Sequence, residues 1–315
     1  MNKISISVCT RRRPEMLRAC LKSILTQIKS SARDDMLIVV ENDLEPLSRQ
    51  IINELAEDFA GITIIYHHEP NLGIPIARNK CIDLAFQNKA DWLAFIDDDE
   101  MLGDGWLTSM HRAIEEFDAE AIVGPVVALW PDKLPAWFNV PKTETRPRGH
   151  RLKTAATNNT LISLAWLQPR REQLRFDEKM RFTGGEDSDF FFRLTDMGGR
   201  IMWVDDARVY EHIEGDRLTA VWNIKRAHRT AASNFYISSK RRGYIYAFSR
   251  ILPKILGRFA RGIAQLAFGA GLFPLRHPGS QSWMFEGAKA LASAVGSMQG
   301  VVGIQPNPYR RVIGR

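Results

Sequence analysis

Short strand-like runs alternate with helix-like segments through the first 130 residues of the chain. Such an alternation predicts a mainly parallel sheet with helices on both of its faces, which is the α/β class of fold. The sequence predicts strands at residues 4–10, 36–41, 62–67, 92–96 and 121–129, and helices at residues 14–27, 47–59, 76–88 and 106–117.

The rest of the chain is organised differently. Residues 131–215 show no regular periodicity, although Gly184 and Gly185 predict a sharp turn before a helix. From residue 218 onward the pattern is helical and basic, without strand-like alternation. With 315 residues, the chain has room for one domain of ordinary size and an appendage. We therefore predict an α/β domain over residues 1–217 and a helical region over residues 218–315.

Charge is distributed unevenly along the chain. Residues 216–315 carry 16 Lys and Arg against the two acids Asp216 and Glu286, whereas residues 1–215 carry 27 Lys and Arg against 34 acids. An acidic half suits a site built from carboxylates, and a basic half predicts a polyanionic partner such as nucleic acid or anionic lipid. The basic region lacks a recognisable nucleic-acid-binding motif, so we expect no nucleic-acid partner.

Three cysteines, Cys9, Cys20 and Cys81, lie in apolar stretches and follow no metal-ligand spacing. We therefore expect a reducing compartment and neither a disulfide framework nor a zinc site. The N-terminus runs from Met1 into the first strand-like run without the features of a signal peptide. The protein is expected to remain in the cytoplasm.

Four consecutive acids, residues 97–100, follow the apolar run that ends at residue 96. Ligands bind at the carboxyl ends of strands in sheets of the predicted kind. Crowded carboxylates disfavour one another's ionisation unless a cation offsets their charge, and hard oxygen ligands suit Mg²⁺ or Mn²⁺. Alternation along the strand can place Asp97 and Asp99 on one side. The run predicts a divalent-metal site, and the alternative is a solvated acidic turn.

A second acidic cluster follows Gly184 and Gly185 and opens a predicted helix. Glu186, Asp187 and Asp189 lie in its first turn, where acids can simply offset the helix dipole. A carboxylate that begins a helix and faces a cleft could equally accept a proton from a hydroxyl group.

Two further residues are candidates on weaker grounds. Arg78 lies at the start of a predicted helix, after the turn Asn71-Leu72-Gly73, and could bind a diphosphate through two guanidinium nitrogens. The alternative for Arg78 is an ordinary surface residue. His212 is a candidate metal ligand, and the alternative is a structural histidine.

At these residues the chain resembles glycosyltransferase family 2, whose members have the GT-A fold of nucleotide-diphospho-sugar transferases. Within the family it is most similar to bacterial exopolysaccharide glucosyltransferases of the succinoglycan type, through residues 183–191 and 209–217. The resemblance covers residues 4–225 and rests on Arg13-Pro14, Val40-Glu41-Asn42-Asp43, Asn71-x-Gly73 with Ala77-Arg78-Asn79, Asp97-Asp98-Asp99, Trp106-Leu107 and Gly184-Gly185-Glu186-Asp187.

The resemblance implies which residues bind the donor. Thr10 and Glu41 would contact the nucleoside, and Arg78 would contact the base or the diphosphate. Asp97 would face the ribose and the metal. The family usually has Asp where this chain has Glu41, and that difference bears on the expected preference for uridine.

The resemblance also implies roles in metal binding and catalysis. Asp99 would be the main ligand of Mg²⁺ or Mn²⁺, Asp97 would assist it, and His212 would complete the metal shell. Asp187 would be the catalytic base, and Glu186 would bind the acceptor.

The implied reaction moves a hexose, expected to be glucose, from a UDP-sugar to a growing polyprenol-linked oligosaccharide in bacterial surface or exopolysaccharide synthesis. A single displacement would invert the anomeric carbon. A retaining transferase or a sugar nucleotidyltransferase could use the same metal and nucleotide site. A nucleic-acid-binding protein is a third alternative, suggested by the basic C-terminal region alone.

The C-terminal region is expected to lie peripherally on the inner face of the cytoplasmic membrane, where a lipid-linked acceptor would be presented. The uncharged run of residues 262–275 has 14 residues, short of the roughly 20 that a spanning helix needs. We predict an interfacial helix opened by Pro253. Its basic side would carry Lys254, Arg258, Arg261 and Gln265, and its apolar side Ile255, Leu256, Phe259, Ile263 and Leu266. The alternative is that these helices pack on the α/β domain.

Overall fold

A computed structural model of the protein describes residues 2–213 and 215–304. Met1, Glu214 in the stretch 209–217 and residues 305–315 at the end of the predicted C-terminal region lie outside the described residues. The strands are β1 (Ile4–Thr10), β2 (Met36–Glu41), β3 (Ile64–His68), β4 (Trp92–Asp97), β5 (Glu100–Leu102), β6 (Ala121–Val123), β7 (Val126–Leu129), β8 (Arg151–Leu152), β9 (Thr160–Ser163), β10 (Ile201–Trp203) and β11 (Val209–His212). The helices are α1 (Pro14–Ser30), α2 (Arg49–Asp58), α3 (Ile74–Gln87), α4 (Trp106–Glu116), α5 (Leu164–Leu167), α6 (Glu186–Asp196), α7 (Ala220–Arg242), α8 (Tyr244–Leu272) and α9 (Ser280–Val301).

Within the described residues, a central sheet has the strand order β3-β2-β1-β4-β9-β6-β10-β8. Its first four strands are parallel, because α1, α2 and α3 each cross over the sheet between consecutive strands. The other half is mixed: β10 is parallel to β6, whereas β9 and β8 are antiparallel to their neighbours. The predicted α/β fold is therefore confirmed.

Apolar cores cover both faces of this sheet. One core includes residues of α1, α2 and α4, and the other includes residues of α3, α5 and α6. Alternation along β4 sends Ala94 and Ile96 into the first core and Leu93 and Phe95 into the second. Burial on both faces explains why this strand reads as a continuous apolar run in the sequence.

The prediction of one strand over residues 121–129 is wrong. The segment forms β6 in the central sheet and β7 in a second sheet of order β5-β11-β7. A Cβ atom at Gly124 would lie 2.0 Å from the carbonyl oxygen of Ala207, so only glycine permits the close approach at this bend. Pro125 has no N–H to continue a strand ladder.

The described part of the C-terminal region is helical, as predicted, and α9 packs against both α7 and α8. Glycines allow these helices to approach closely, since a Cβ at Gly262 of α8 would lie 2.7 Å from Leu291 of α9. A Cβ at Gly300 of α9 would lie 2.8 Å from the carbonyl oxygen of Ala232 of α7. Across the described residues, no helix is both long enough and apolar enough to cross a membrane.

Two details of the predicted interfacial helix are wrong. Because α8 begins at Tyr244, Pro253 lies inside the helix, where its ring removes one hydrogen bond while the flanking turns continue. Gln265 is 9% exposed, and Arg258 donates a hydrogen bond to Ser297 of α9. Both therefore face α9, since glycines on the same side of α8 let α9 approach there.

Part of the basic charge of the C-terminal region is paired with the α/β domain. Lys240 of α7 forms ion pairs with Asp177 and Asp189, and Arg241 pairs with Asp196. These contacts join the two regions, so the uneven charge of the sequence serves in part to attach the basic helices. The domain boundary at residue 217 stays a prediction.

Candidate active site

The carboxyl ends of the parallel strands bring three of the predicted site residues to one edge of the sheet. Thr10 ends β1 opposite Glu41 at the end of β2, and Cys9 lies opposite Asp97 at the end of β4. This edge is where sheets of this kind bind ligands.

Arg78 of α3 joins the two acidic clusters that the sequence singled out. Its Nη1 donates a hydrogen bond to Oε1 of Glu186 at 2.5 Å, and its Nη2 lies 3.6 Å from Oδ1 of Asp97. Burial opposes the charge of this guanidinium, but the carboxylates of Glu186, Asp97 and Asp187 raise the pKa of Arg78. The predicted donor-binding and acceptor-binding residues are therefore in direct contact.

Asp97 lies beside Arg78 at the end of β4. Although 46% of its side-chain surface is open to solvent, desolvation is the main cause that raises the pKa of Asp97. Arg78 opposes the effect, and the charges of Asp99 and Asp187 add to it. Asp97, Asp99 and Asp187 thus concentrate negative charge in one place, which a cation would offset.

Asp98 points into the protein from the middle of the triplet. Thr10 donates its hydroxyl to Asp98 Oδ2 at 2.8 Å, and Arg13 Nη1 lies 3.0 Å from Oδ1. Burial raises the pKa of Asp98 to about 6; Arg13 opposes this shift, and the neighbouring charge of Asp99 adds to it. The hydroxyl of Thr10 is thus engaged by the protein, and its predicted contact with a nucleoside stays a prediction.

Two arginines hold Asp99, whose side chain is 10% exposed. Arg13 Nη1 lies 3.1 Å and Arg217 Nη2 lies 2.8 Å from Oδ2 of Asp99. Arg217 also pairs with Glu211 on β11. The sequence did not indicate either arginine as a partner of Asp99: Arg217 lies 118 residues further along the chain, and Arg13 stood out only in the motif Arg13-Pro14.

Glu41 is fully buried and is held entirely by protein groups. Its carboxylate accepts hydrogen bonds from the backbone N–H and the hydroxyl of Ser48 and, at 2.6 Å, from the hydroxyl of Tyr66. In this arrangement Glu41 positions the segment that follows β2. Its predicted contact with a nucleoside is not tested and stays a prediction.

The acids at the start of α6 differ in what holds them. Glu186 is 4% exposed and binds Arg78, and its Oε2 is buried without a hydrogen-bond partner in the described structure. Asp189 is 3% exposed and pairs with two basic residues. Asp187 is partly exposed, and its Oδ1 accepts a hydrogen bond from the N–H of Ser188 at 2.6 Å. Asp187 is therefore the acid of this turn that a ligand can reach most directly.

The turn before α6 depends on its glycines and on α7. Gly184 and Gly185 have φ angles of 76° and 91°, in the left-handed region that favours glycine. A Cβ at Gly185 would lie 3.1 Å from Ile237 and 3.4 Å from Ser233, both on α7. The turn that carries the acids thus packs directly against α7, the first helix of the C-terminal region.

His212 is exposed at the end of β11. In the antiparallel pairing of β11 with β5, Glu211 lies opposite Glu100, so continuing the register by one residue brings His212 level with Asp99. Its role as a metal ligand stays a prediction.

No group of three or more His, Cys, Asp or Glu side chains among the described residues is arranged to hold a metal ion. The acids present nevertheless fit Mg²⁺ or Mn²⁺. Such ions commonly take one or two protein carboxylates and complete their shell with water and substrate phosphates. Asp97 and Asp99 would provide these oxygen donors, and the strand register brings His212 level with Asp99.

Comparisons with known proteins agree with this geometry. The sequence model described as Glycosyl transferase family 2 matches residues 5–164. The chain is 32% identical over 272 residues to the succinoglycan biosynthesis protein ExoM of Rhizobium meliloti (strain 1021), covering 84% of this chain and 85% of that relative.

Two solved structures share the fold at low sequence identity. S. aureus TarS 1-349 in complex with UDP has a TM-score of 0.52 and 16% identity, covering 99% of this chain and 95% of that one. The mannosyltransferase PcManGT from Pyrobaculum calidifontis, in complex with GDP-Man and Mn²⁺, has a TM-score of 0.59 and 15% identity, covering 94% and 86%. These likenesses show the fold alone, which is of the GT-A type. The family match and the ExoM relative establish that the chain is a glycosyltransferase and belongs to glycosyltransferase family 2.

Proposed function

We propose that the protein is an inverting, metal-dependent hexosyltransferase that moves glucose from UDP-glucose to a growing polyprenol-linked oligosaccharide in bacterial exopolysaccharide synthesis. It would act at the inner face of the cytoplasmic membrane. The observation that carries the reaction is the pair of acidic clusters linked by Arg78: Asp97 and Asp99 on one side, and Glu186 with Asp187 on the other.

The relatives support the choice of donor and pathway. TarS has been solved with UDP, and PcManGT has been solved with GDP-Man and Mn²⁺. We therefore propose a nucleotide sugar as the donor and a divalent metal as the cofactor. The ExoM relative is a succinoglycan biosynthesis protein, which supports an exopolysaccharide as the product.

The residues of the chain divide the chemistry between them. A bound Mg²⁺ or Mn²⁺ would offset the charge that grows on the departing nucleoside diphosphate, and Asp97, Asp99 and His212 would hold it. Asp187, partly exposed at the start of α6, would take the proton from the acceptor hydroxyl. Arg78 would bind the diphosphate between the two clusters, and Glu186 would orient both Arg78 and the acceptor. We propose residues 1–217 as the catalytic domain and 218–315 as the membrane-associating region.

The purified protein is expected to hydrolyse UDP-glucose slowly without an acceptor, because water can replace the acceptor hydroxyl beside Asp187. A panel of UDP- and GDP-sugars, each incubated with Mn²⁺, Mg²⁺ or a chelator, measures this activity through the released nucleotide. We expect UDP-glucose to be preferred and the chelator to abolish the reaction.

The products of the same assay separate the alternatives. Formation of UTP and a sugar 1-phosphate from the UDP-sugar and added pyrophosphate would indicate a nucleotidyltransferase, and retention of the donor's anomeric configuration in the newly released sugar would indicate a retaining enzyme. A preference for a GDP-sugar would contradict the proposed uridine specificity, and full activity in chelator would contradict metal dependence.

Exposed side chains of α8 support the membrane part of the proposal. Ile245, Leu252, Leu256 and Ile263 are 85%, 43%, 62% and 61% exposed, respectively, and their spacing places them along one side of the helix. Arg250, Lys254 and Arg261 are also exposed, and their spacing places them on the opposite side of the helix. A helix with an apolar side and an opposite basic side suits the boundary between lipid headgroups and acyl chains.

The protein is therefore expected to float with anionic liposomes, and to do so less as salt is added. Changing Arg250, Lys254 and Arg261 to Glu should lower the bound fraction at least about tenfold, because each basic residue near an anionic surface contributes about 1 kcal/mol. Flotation of wild type and variant across a salt series measures the effect.

A matched control carries the same charge change elsewhere: Lys22, Lys142 and Lys153, all exposed on the α/β domain, are changed to Glu. This control should float like the wild type. Equal loss in both variants would show a general effect of net charge, and a wild type that does not float would contradict membrane association itself.

A further inference from the structure

Residues 130–150 form a long connection between β7 and β8 that lacks regular helix or strand. Connections of this length inside a compact domain are uncommon and are often binding loops or lids. The loop begins at Trp130, directly after Leu129, which pairs with His212 of β11. It therefore starts beside the proposed metal site.

The second sheet fixes where the loop lies relative to the acids. β7 adjoins β11 and β11 adjoins β5, so two strand spacings, about 10 Å, separate the start of the loop from the segment that carries Asp99. The residues predicted to bind the nucleoside, Thr10 and Glu41, belong to β1 and β2 of the central sheet. A molecule bound at the loop would approach the metal site from the side of β7 and β11, away from the nucleoside.

An aromatic cluster fills the first part of this loop. The ring of Phe138 lies 5.1 Å from that of Trp130 and 5.6 Å from that of Trp137. Trp137 in turn packs at 4.3 Å against Phe285 of α9. Phe285 is 8% exposed, whereas the three aromatic residues of the loop are half-buried. The cluster is thus anchored on α9 and keeps aromatic surface in contact with solvent.

The surroundings of this surface suit a carbohydrate. The π face of an aromatic ring carries negative potential and complements the face of a sugar ring that bears its C–H bonds. Asp132, Lys133 and Asn139 are exposed within the same stretch and offer charged and amide groups to sugar hydroxyls. Apolar contact with a few polar groups that fix orientation is the usual composition of such binding sites.

We propose that Trp130 and Trp137 form the subsite that binds the terminal sugars of the acceptor glycan, with Phe138 and Phe285 supporting them. The inference rests on the proposed function, because it assumes that an oligosaccharide is the acceptor. It adds where that oligosaccharide binds and which side chains recognise it. From this subsite a terminal hydroxyl would reach Asp187 across the metal site.

The connection to α9 also gives the acceptor a continuous route. Trp283, two residues before Phe285, stacks edge-on with Phe268 of α8, and these two rings are 42% and 54% exposed. The loop is held at the same end of α9, where Ser282 donates a hydrogen bond to the carbonyl oxygen of Ala136. The glycan subsite therefore adjoins exposed apolar residues that could lie in the lipid carrying the glycan.

The test compares transfer with donor hydrolysis in the full-length protein. Radiolabelled UDP-glucose and a total lipid extract from the organism that encodes the protein serve as substrates, and label in the lipid phase is measured against the amount of extract. Trp130→Ala and Trp137→Ala should each raise the half-saturating amount of extract about tenfold. Hydrolysis of UDP-glucose without extract should change less than about twofold, since the residues proposed to bind the nucleoside lie on β1 and β2, away from the loop.

Two further variants separate recognition from folding. Trp130→Phe keeps an aromatic face and should restore most of the lost affinity for the extract. Trp166→Ala removes a tryptophan of α5 that packs on Arg170 and on the core, and it should leave half-saturation unchanged. If the loop tryptophans only pack the loop onto α9, the Ala variants will lose hydrolysis and transfer equally, and the proposed subsite is wrong.

The remaining outcomes also decide between the proposals. Unchanged half-saturation in both Ala variants would overturn the subsite and leave the proposed function standing. A wild type that hydrolyses UDP-glucose but labels no lipid would refute the lipid-linked acceptor, and the subsite with it. A wild type that does neither would refute the proposed donor before the subsite is reached.

Discussion

Replacing Asp187 by asparagine is expected to lower turnover by roughly 10²–10⁴ while leaving donor affinity nearly unchanged. The amide keeps the shape of the side chain but cannot take a proton from the acceptor hydroxyl. Asp187 is the natural candidate in its turn because Glu186 is bound to Arg78 and Asp189 is buried in ion pairs. Transfer rates, together with calorimetric titration of UDP, measure the two quantities separately.

The control for this change lies on the same helix. Asp196, exposed at the end of α6, pairs with Arg241, and Asp196→Asn should leave turnover unchanged. Near-normal turnover of Asp187→Asn would make Glu186 or Asp189 the better candidate for the base. A loss of UDP binding equal to the loss of turnover would instead indicate that Asp187 acts on the donor.

Replacing Asp99 by asparagine is expected to weaken metal-dependent binding of UDP by roughly 10²-fold or more. Loss of a residue that only hydrogen-bonds to a metal ligand typically lowers metal affinity by about 10–100-fold, and the loss of a ligand itself should exceed that. The removed charge is the one that Arg13 and Arg217 share in the structure, and asparagine would leave two cations facing a neutral group. Calorimetry with UDP in Mn²⁺ and again in chelator measures the change.

The wild type should bind UDP well in Mn²⁺ and poorly in chelator, whereas Asp99→Asn should bind poorly in both. Asp118→Asn, a change at an exposed acid paired with Arg200, provides the matched control and should behave like the wild type. Equal binding by Asp99→Asn with and without metal, at wild-type strength, would remove Asp99 from the donor site.

The parallel half of the fold was predictable because local patterns determine it. β1 and β2 have the bounds that the sequence predicted, since buried parallel strands read as unbroken apolar runs. The strand over residues 121–129 could not be divided in advance, because the bend at Gly124 follows from the approach of Ala207, a residue distant in sequence. The start of α8 was predicted wrongly at Pro253 for a related reason. Packing on α9 stabilises the helix on both sides of this proline, and that packing is not visible in the local sequence.

In the candidate site, too, features of the local sequence were predictable, whereas contacts between distant segments were not. Local composition and position predicted the acids at residues 97–99 and the Gly184–Gly185 turn. In the structure, Arg78 links the two segments. The pairing of Arg217 with Asp99 left no trace in the sequence, because ion pairs between distant segments have no characteristic spacing. Likewise, only the folded chain shows that Glu41 is buried beneath Ser48 and Tyr66.

The packing of α7 against Gly185 limits how this enzyme can diversify. A chimera that takes its C-terminal helices from a related transferase would also import the side chains at positions 233 and 237, which touch the turn that carries Asp187. Unless those side chains match, swapping the helices would disturb the reaction as well as the attachment. Sequence changes are therefore easier to accommodate on the surfaces of α8 and α9 that face away from α7. That outer surface is the more evolvable part of the helical region.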